Sequence, residues 1–277
     1  MGKTILDIKI LYPSLGAAEK RVADFLMADP SRVLPLSITE LAEQSGGSEA
    51  TIVRLAKRVG FSGYQQLKIS IAQEENVGGI TENIEADDSV AEIFAKVCND
   101  VYCSLEKTRR TLDADQLERC CESLLAAREI LIFGLGNSAS VATDFAHKLL
   151  RLGLKATAYT DNHMQAIAAA HTDAASFVVG ISHSGSSRDI VQALQLARGN
   201  GAVTAAITGA GKSPVTKTCD YVLHTVADEV NYSILGLTSR IAQLAIIDTM
   251  YSFVACHLPD AKTAIRRTEQ ALLGKKF

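Results

Sequence analysis

The sequence predicts two domains of different class: an all-α domain, followed by a doubly wound α/β domain built on a parallel sheet of five strands. Three observations lead there. At 277 residues the chain exceeds the roughly 100 to 200 residues usual for one domain. Apolar residues recur at helical spacing early in the chain, then alternate between strand-like and helical runs. Between the two patterns, Glu74 to Asp88 (EENVGGITENIEADD) is acidic, carries a Gly pair and has no apolar period, which is the composition of a linker. The expected boundaries are 1–75 for the helical domain, 76–89 for the linker and 90–277 for the α/β domain.

In chain order, amphipathic helices are expected over Ala17–Met27, Ile38–Gln44, Ala50–Val59 and Tyr64–Gln73. Ser37 and Ser48 precede two of these runs as N-caps, and Glu40, three residues after Ser37, completes a capping box. A longer helix is expected from Val90 to about Thr111. Strands follow at Ile130–Phe133, Ala156–Tyr159, Phe177–Ile181, Val203–Ile207 and Tyr221–Thr225, with helical patterns between them. Strands alternating with helices at this spacing form a parallel sheet covered on both faces.

The totals narrow the function classes. Hydrophobic residues make up 47% and charged residues 21% of the chain, an ordinary globular balance without disordered or collagenous bias. Apolar runs are too short, or too interrupted, to span a membrane, and no signal-peptide pattern opens the chain, so a cytoplasmic protein is expected. The six cysteines show no C-x-x-C pairing or zinc-finger spacing and read as reduced packing residues. The histidines show no ligand spacing, so no metal is expected, nor any cofactor. A net charge of −3 means that any contact with nucleic acid must come from a local patch.

Such a patch is present. Leu41 and Ala42, a Gly46-Gly47 turn, then Ile52, Val53, Leu55 and Ala56 describe a helix, a sharp turn and a second helix closing on Val22, Phe25 and Leu26. From Ala50 through Gln73 there is no acidic residue, while Arg54, Lys57, Arg58 and Lys68 are basic. A second helix presenting Ser48, Glu49, Thr51, Arg54 and Lys57 suits a DNA major groove, its early residues at base edges and its cations at phosphates. The alternative is a solvated face of a small helical bundle. The wording SEATIVRLAKRVGFSGYQQLKISIAQE, Ser48 to Glu74, with its Gly60-Phe61-x-Gly63 punctuation and Lys68, resembles the recognition region of RpiR-type bacterial regulators. EKRVADFLMADP, Glu19 to Pro30, resembles the first helix of that family's DNA-binding domain. The resemblance covers residues 1 to 75 and implies binding to double-stranded operator DNA.

Two loops after strands carry the chemistry of the second domain. Gly134-Leu135-Gly136-Asn137-Ser138-Ala139 matches G-x-G-x-x-A, a dinucleotide fingerprint. It is a weak match, because Asn137 and Ser138 put polar side chains where a dinucleotide loop relies on bare backbone. Ser182-His183-Ser184-Gly185-Ser186-Ser187 is the sharper signal. Alternating hydroxyls, a glycine allowing close approach and free N–H groups at a helix start form a phosphate cradle that needs neither Lys nor metal. A serine-rich turn with an N-cap is the plain alternative, and placement at the carboxyl end of a strand favours a ligand. Gly209-Ala210-Gly211-Lys212-Ser213 imitates a P-loop, but Ala206 stands where its first Gly belongs and Pro214 follows directly.

The two loops, together with ADEVNYSILGLTSRIAQLAIID from Ala227 to Asp248, resemble the sugar isomerase (SIS) domain that forms the second half of RpiR-type regulators, over about residues 90 to 260. The resemblance implies a flavodoxin-like strand order and a phosphorylated sugar as effector. It places Asn137 and Ser138 at the sugar, and Ser182, Ser184 and Ser187, with the Gly185 and Ser186 backbone, at the phosphate. His183 joins this effector set, and Glu229 is either a second-wall contact or an exposed acid at a helix start. A homodimer or dimer of dimers is implied as well. A transcription regulator of carbohydrate metabolism is thus expected, not an enzyme. The rival reading is a sugar-phosphate isomerase or lyase with an accessory helical domain, for which His183 and Glu229 are the only obvious bases.

Overall fold

The computed structural model describes residues 2–74, 84–85, 87–227 and 237–275. Along the main run of the chain, two compact units part between Asp100 and Val101. The linker expected over 76–89 lies mostly outside the described residues.

The first unit is helical. α1 (Lys3–Leu11), α2 (Ala17–Ala28), α3 (Ile38–Ser45), α4 (Glu49–Arg58) and α5 (Tyr64–Glu74) surround one apolar core that contains Ile8, Val22, Leu26, Leu41, Ile52, Leu55 and Leu67. Helices α2 to α5 match the expected runs to within a residue or two. The capping box at Ser37 is present: Glu40 N–H donates to Ser37 Oγ at 3.2 Å, and Ser37 N–H donates to Glu40 Oε2 at 2.8 Å. Ser48 Oγ likewise accepts from Thr51 N–H at 3.2 Å, satisfying one of the donors a helix start leaves without a partner. Gly46 ends α3 in the left-handed region, φ 65°, and Gly47 packs so tightly that a Cβ there would stand 2.6 Å from Val22 Cγ2. The sharp turn needs both glycines. Helix α1 is an addition to the expected elements. Its apolar residues do not keep to one face, since Ile5 and Ile8 are buried while Leu6 and Ile10 are exposed, and Thr4 ties it to α5 through Glu74 and Ser70.

Helix α6 (Val90–Thr111) leads into the second unit, whose sheet consists of β1 (Glu129–Gly134), β2 (Ala156–Tyr159), β3 (Ser176–Ser182), β4 (Val203–Gly209) and β5 (Tyr221–Thr225). All pairings are parallel, and the order is β2-β1-β3-β4-β5, the flavodoxin-like order. Alternation along the strands builds two cores. Ile130, Ile132, Phe177, Val179 and Ile207 face α7 (Ala114–Ala126), α8 (Asn137–Arg151) and α11 (Leu237–His257), with α12 (Ala261–Leu273) at the margin. Leu131, Phe133, Val178 and Ala206 face α9 (Asn162–Ala170) and α10 (Arg188–Gly199). Burial on both faces explains why the central strands β1, β3 and β4 read as nearly continuous apolar runs. Cys120 and Cys121 sit in the first of these cores, and burial pushes the Cys121 thiol up to about 11. Among the described residues, no single helix is long and apolar enough to cross a membrane.

Candidate nucleic-acid interface and ligand site

Helix α4 divides sharply by exposure. Thr51, Ile52, Leu55 and Ala56 are buried, whereas Ser48, Ala50, Arg54, Lys57 and Arg58 are exposed. Of the residues expected at DNA, Ser48 and Thr51 spend their side chains on the helix start, Ser48 Oγ lying 2.8 Å from Thr51 Oγ1. Glu49 is half-buried and accepts from Thr39 Oγ1 at 2.6 Å, pinning α4 to α3. Arg54 and Lys57 remain on the open face, one turn apart, with Ala50 one turn before Arg54 and on the same side. Ala50 was not among the expected residues; its i, i+4, i+7 spacing with Arg54 and Lys57 is the signal that would have found it.

Lys68 does not belong to that face. It is buried, its ammonium donating to Leu36 O at 3.0 Å above the Tyr64 ring. Tyr64 OH donates to the same carbonyl at 2.9 Å, so the pair supports the segment that enters α3. Burial pulls the Lys68 ammonium down to about 8, against a smaller upward pull from Glu40. Charge in a sequence does not distinguish a phosphate contact from such a brace.

Glu19, on α2, is a second residue the sequence did not single out. Its buried carboxylate accepts from Gly16 N–H, Arg54 Nε and Arg58 Nη1, each at 3.0 Å. The Gly16 hydrogen bond, with the two guanidiniums, outweighs burial and holds the carboxyl below the usual range. Arg58 is held further by Ser14, whose O and Oγ accept at 3.2 and 2.9 Å.

In the second unit, β1 and β3 are neighbours whose chains then leave in opposite directions, β1 through α8 to β2 and β3 through α10 to β4. This is the switch point at which open α/β sheets bind ligands. Both sequence loops open there. Asn137 begins α8 and is exposed, and Ser138 is half-buried. Ser182 closes β3 and is buried, His183, Ser186 and Ser187 are half-buried, and Ser184 is exposed. Gly185 has φ 58°, a turn that its N–H bond to Ser182 O at 3.0 Å closes. The loop is anchored to its neighbours by Gly209 N–H to His183 O and Val215 N–H to Gly185 O, both 2.9 Å. Ser184 Oγ accepts from Ser186 N–H at 3.3 Å and keeps its own proton to donate. Glu229 lies outside the described residues.

The helix starts at this crevice differ from those of α7 and α9, though not from that of α12, whose N-cap Asp260 also makes no side-chain cap. α7 and α9 are capped by Asp113 and Asp161 side chains, but the N-cap residues of α8 and α10, Gly136 and Ser187, make no side-chain cap. Their first-turn N–H groups carry partial positive charge toward the crevice, a setting for an anion. A separate cleft of 460 Å³ between α8 and α11 is lined by Asp144, Lys148, Arg240 and Asp248 among others. Lys148 pairs with both acids there, and two carboxylates make it unsuited to phosphate. Among the described residues no group of three His, Cys, Asp or Glu side chains is placed to hold a metal.

Comparison with known proteins agrees with both halves. The helix-turn-helix domain of the rpiR family matches residues 3–77, and the SIS domain matches residues 123–252. The HTH-type transcriptional regulator HexR of Pseudomonas aeruginosa is 33% identical over 279 residues, covering 99% of this chain and 98% of HexR. An uncharacterized HTH-type transcriptional regulator of Caldanaerobacter subterraneus is 33% identical over 257 residues, 92% of this chain and 91% of that protein. Among solved structures, the NanR protein of Vibrio vulnificus complexed with ManNAc-6P superposes with a TM-score of 0.84 at 22% identity, covering 99% of this chain and all of that one. The sugar isomerase domain of an RpiR transcription factor from Sphaerobacter thermophilus superposes at 0.59, with 24% identity over 64% of this chain and 98% of that one. The chain therefore belongs to the rpiR family of helix-turn-helix transcriptional regulators, with an SIS domain following its DNA-binding domain.

Proposed function

We propose that the protein regulates transcription of carbohydrate-metabolism genes, and that a phosphorylated sugar bound at the β1–β3 crevice controls its affinity for operator DNA. The carrying observation is the serine loop. It joins a left-handed glycine, a serine hydroxyl with a proton to donate and an uncapped helix start at the switch point, a set matched to phosphate oxygens. In this reading Ser182, Ser184 and Ser187, with the Gly185 and Ser186 backbone, hold the phosphate. Asn137 and Ser138 face the sugar, and His183 flanks it.

On the DNA side, Arg54 and Lys57 meet phosphates or base edges from α4, and Ser48, Glu49 and Thr51 fix the helix that carries them. The protein acts as a homodimer in the cytoplasm, so two recognition helices read related half-sites. Purified protein, screened by thermal shift against hexose, pentose and amino-sugar phosphates, should gain stability with one class. Footprinting on the DNA upstream of its own gene should show an inverted repeat with half-sites spaced near a multiple of ~10 base pairs, altered by that same compound. Turnover of the stabilising sugar phosphate, with no footprint, would favour an isomerase instead.

A further inference from the structure

We infer that Glu19 is a positioning residue for DNA recognition: it holds Arg54 and Arg58 in fixed directions and cancels one of their two charges, giving up affinity for any DNA to gain discrimination between sequences. This rests on the reading that α4 faces DNA. The geometry has three parts. The Glu19 side chain is 6% exposed, whereas that of Arg54 is 59% exposed. The carboxylate comes from α2, outside the recognition helix, so its position is set by the core and not by the arginines.

Arg54 binds it through Nε, so the end-on edge of its guanidinium, one N–H from each terminal nitrogen, is not taken by that bond. Arg58 is committed on two sides, Nη1 to Glu19 and Nη2 to Ser14. Arg58 therefore braces the carboxylate, and Arg54 is presented as a fork of fixed direction. A fork so fixed suits bidentate contact with one base edge or phosphate, because less freedom is lost on binding. Two unrestrained arginines would instead each neutralise whatever phosphate lies nearest, and that contribution is blind to sequence.

Glu19→Gln tests this. The amide oxygen can still accept from Gly16 N–H and Arg58 Nη1, but its NH2 group meets the Nε–H of Arg54 and releases that arginine. Binding is measured on two duplexes of equal length, the footprinted upstream segment and a random sequence, over a series of salt concentrations, with the fold checked by thermal melting. The variant should bind random DNA more tightly. Its slope of log affinity against log salt should steepen by about 1 to 2, at ~0.9 for each added phosphate, and the ratio of upstream to random affinity should fall about tenfold or more.

A folded Glu19→Gln protein with the wild-type slope and ratio defeats the assignment. If the variant does not fold, the double variant Glu19→Gln with Arg58→Gln restores the local net charge of the wild type with a neutral hydrogen-bonded pair. Its ratio should still fall while the slope stays as in the wild type. An unchanged ratio, or equal weakening on both duplexes, assigns Glu19 to the fold alone. A wild-type protein that binds neither duplex would instead defeat the DNA-binding reading from which this inference starts.

Discussion

Ser184 stands exposed on a loop anchored mainly through main-chain atoms, so removing its hydroxyl forfeits the long hydrogen bond from Ser186 N–H and leaves the Ser182–Gly185 turn and the anchors to β4 in place. Ser184→Ala should lower the melting temperature of the ligand-free protein only slightly. It should weaken the sugar phosphate by about 1.5 to 3 kcal/mol, the usual worth of a hydrogen bond to a charged group, or one to two decades in Kd by titration calorimetry. A wild-type Kd in the variant would move the phosphate to another wall of the crevice. Lys68 makes a second prediction, on pH. Its folded value of about 8 lies below the ordinary 10.5, so between those values the unfolded chain binds the extra proton. The cost of burying the charge is complete below about pH 8, shrinks as the pH rises, and is gone above 10.5. Stability of the helical unit should therefore rise across that window, by on the order of 3 kcal/mol at most. Denaturant titrations of Lys68→Met should show this rise removed; an identical rise in the variant would assign it to another group.

At the scale of elements, Gly47 sets the approach of the α3–α4 turn to α2. A Cβ placed 2.6 Å from Val22 Cγ2 overpacks a filled core, so Gly47→Ala should cost about 1 to 3 kcal/mol. The melting temperature of the helical unit should fall by about 4 to 8 °C for each kcal/mol, and a variant that melts like the wild type would show that α2 can yield. What was legible in the sequence follows the same physics. The central strands β1, β3 and β4 are buried on both faces and so leave long apolar runs; α3 and α4 announce themselves through Ser37, Glu40 and Ser48. Helix α1 was not legible, because Leu6 and Ile10 are apolar yet exposed, which blurs its period. The serine loop could be found because its residues are consecutive. Glu19 could not, since its partners stand 35 and 39 residues away and only the packing of α2 on α4 brings them together. Lys68 was placed with the DNA-facing cations because local composition records charge but not burial.

For the whole molecule, control of DNA by a sugar phosphate is a coupling between two sites, and thermodynamics makes it reciprocal. If the sugar phosphate changes operator affinity by some factor, saturating operator duplex must change the Kd of the sugar phosphate by that same factor. Titration of the sugar phosphate with and without the duplex measures this, and equal Kd values alongside a ligand-dependent gel shift would place the effect outside equilibrium binding. The core of the helical unit and the two cores of the sheet share no residue. Heating should accordingly give two calorimetric transitions, with a total enthalpy above the van't Hoff value of either. A sugar phosphate at about 100 times its Kd should add about 2.7 kcal/mol to the sheet unit, moving its transition upward and leaving that of the helical unit in place. The sensor would then grow more resistant to heat while the reader of DNA did not, so the temperature at which regulation fails would be set by the helical unit, whatever the supply of sugar.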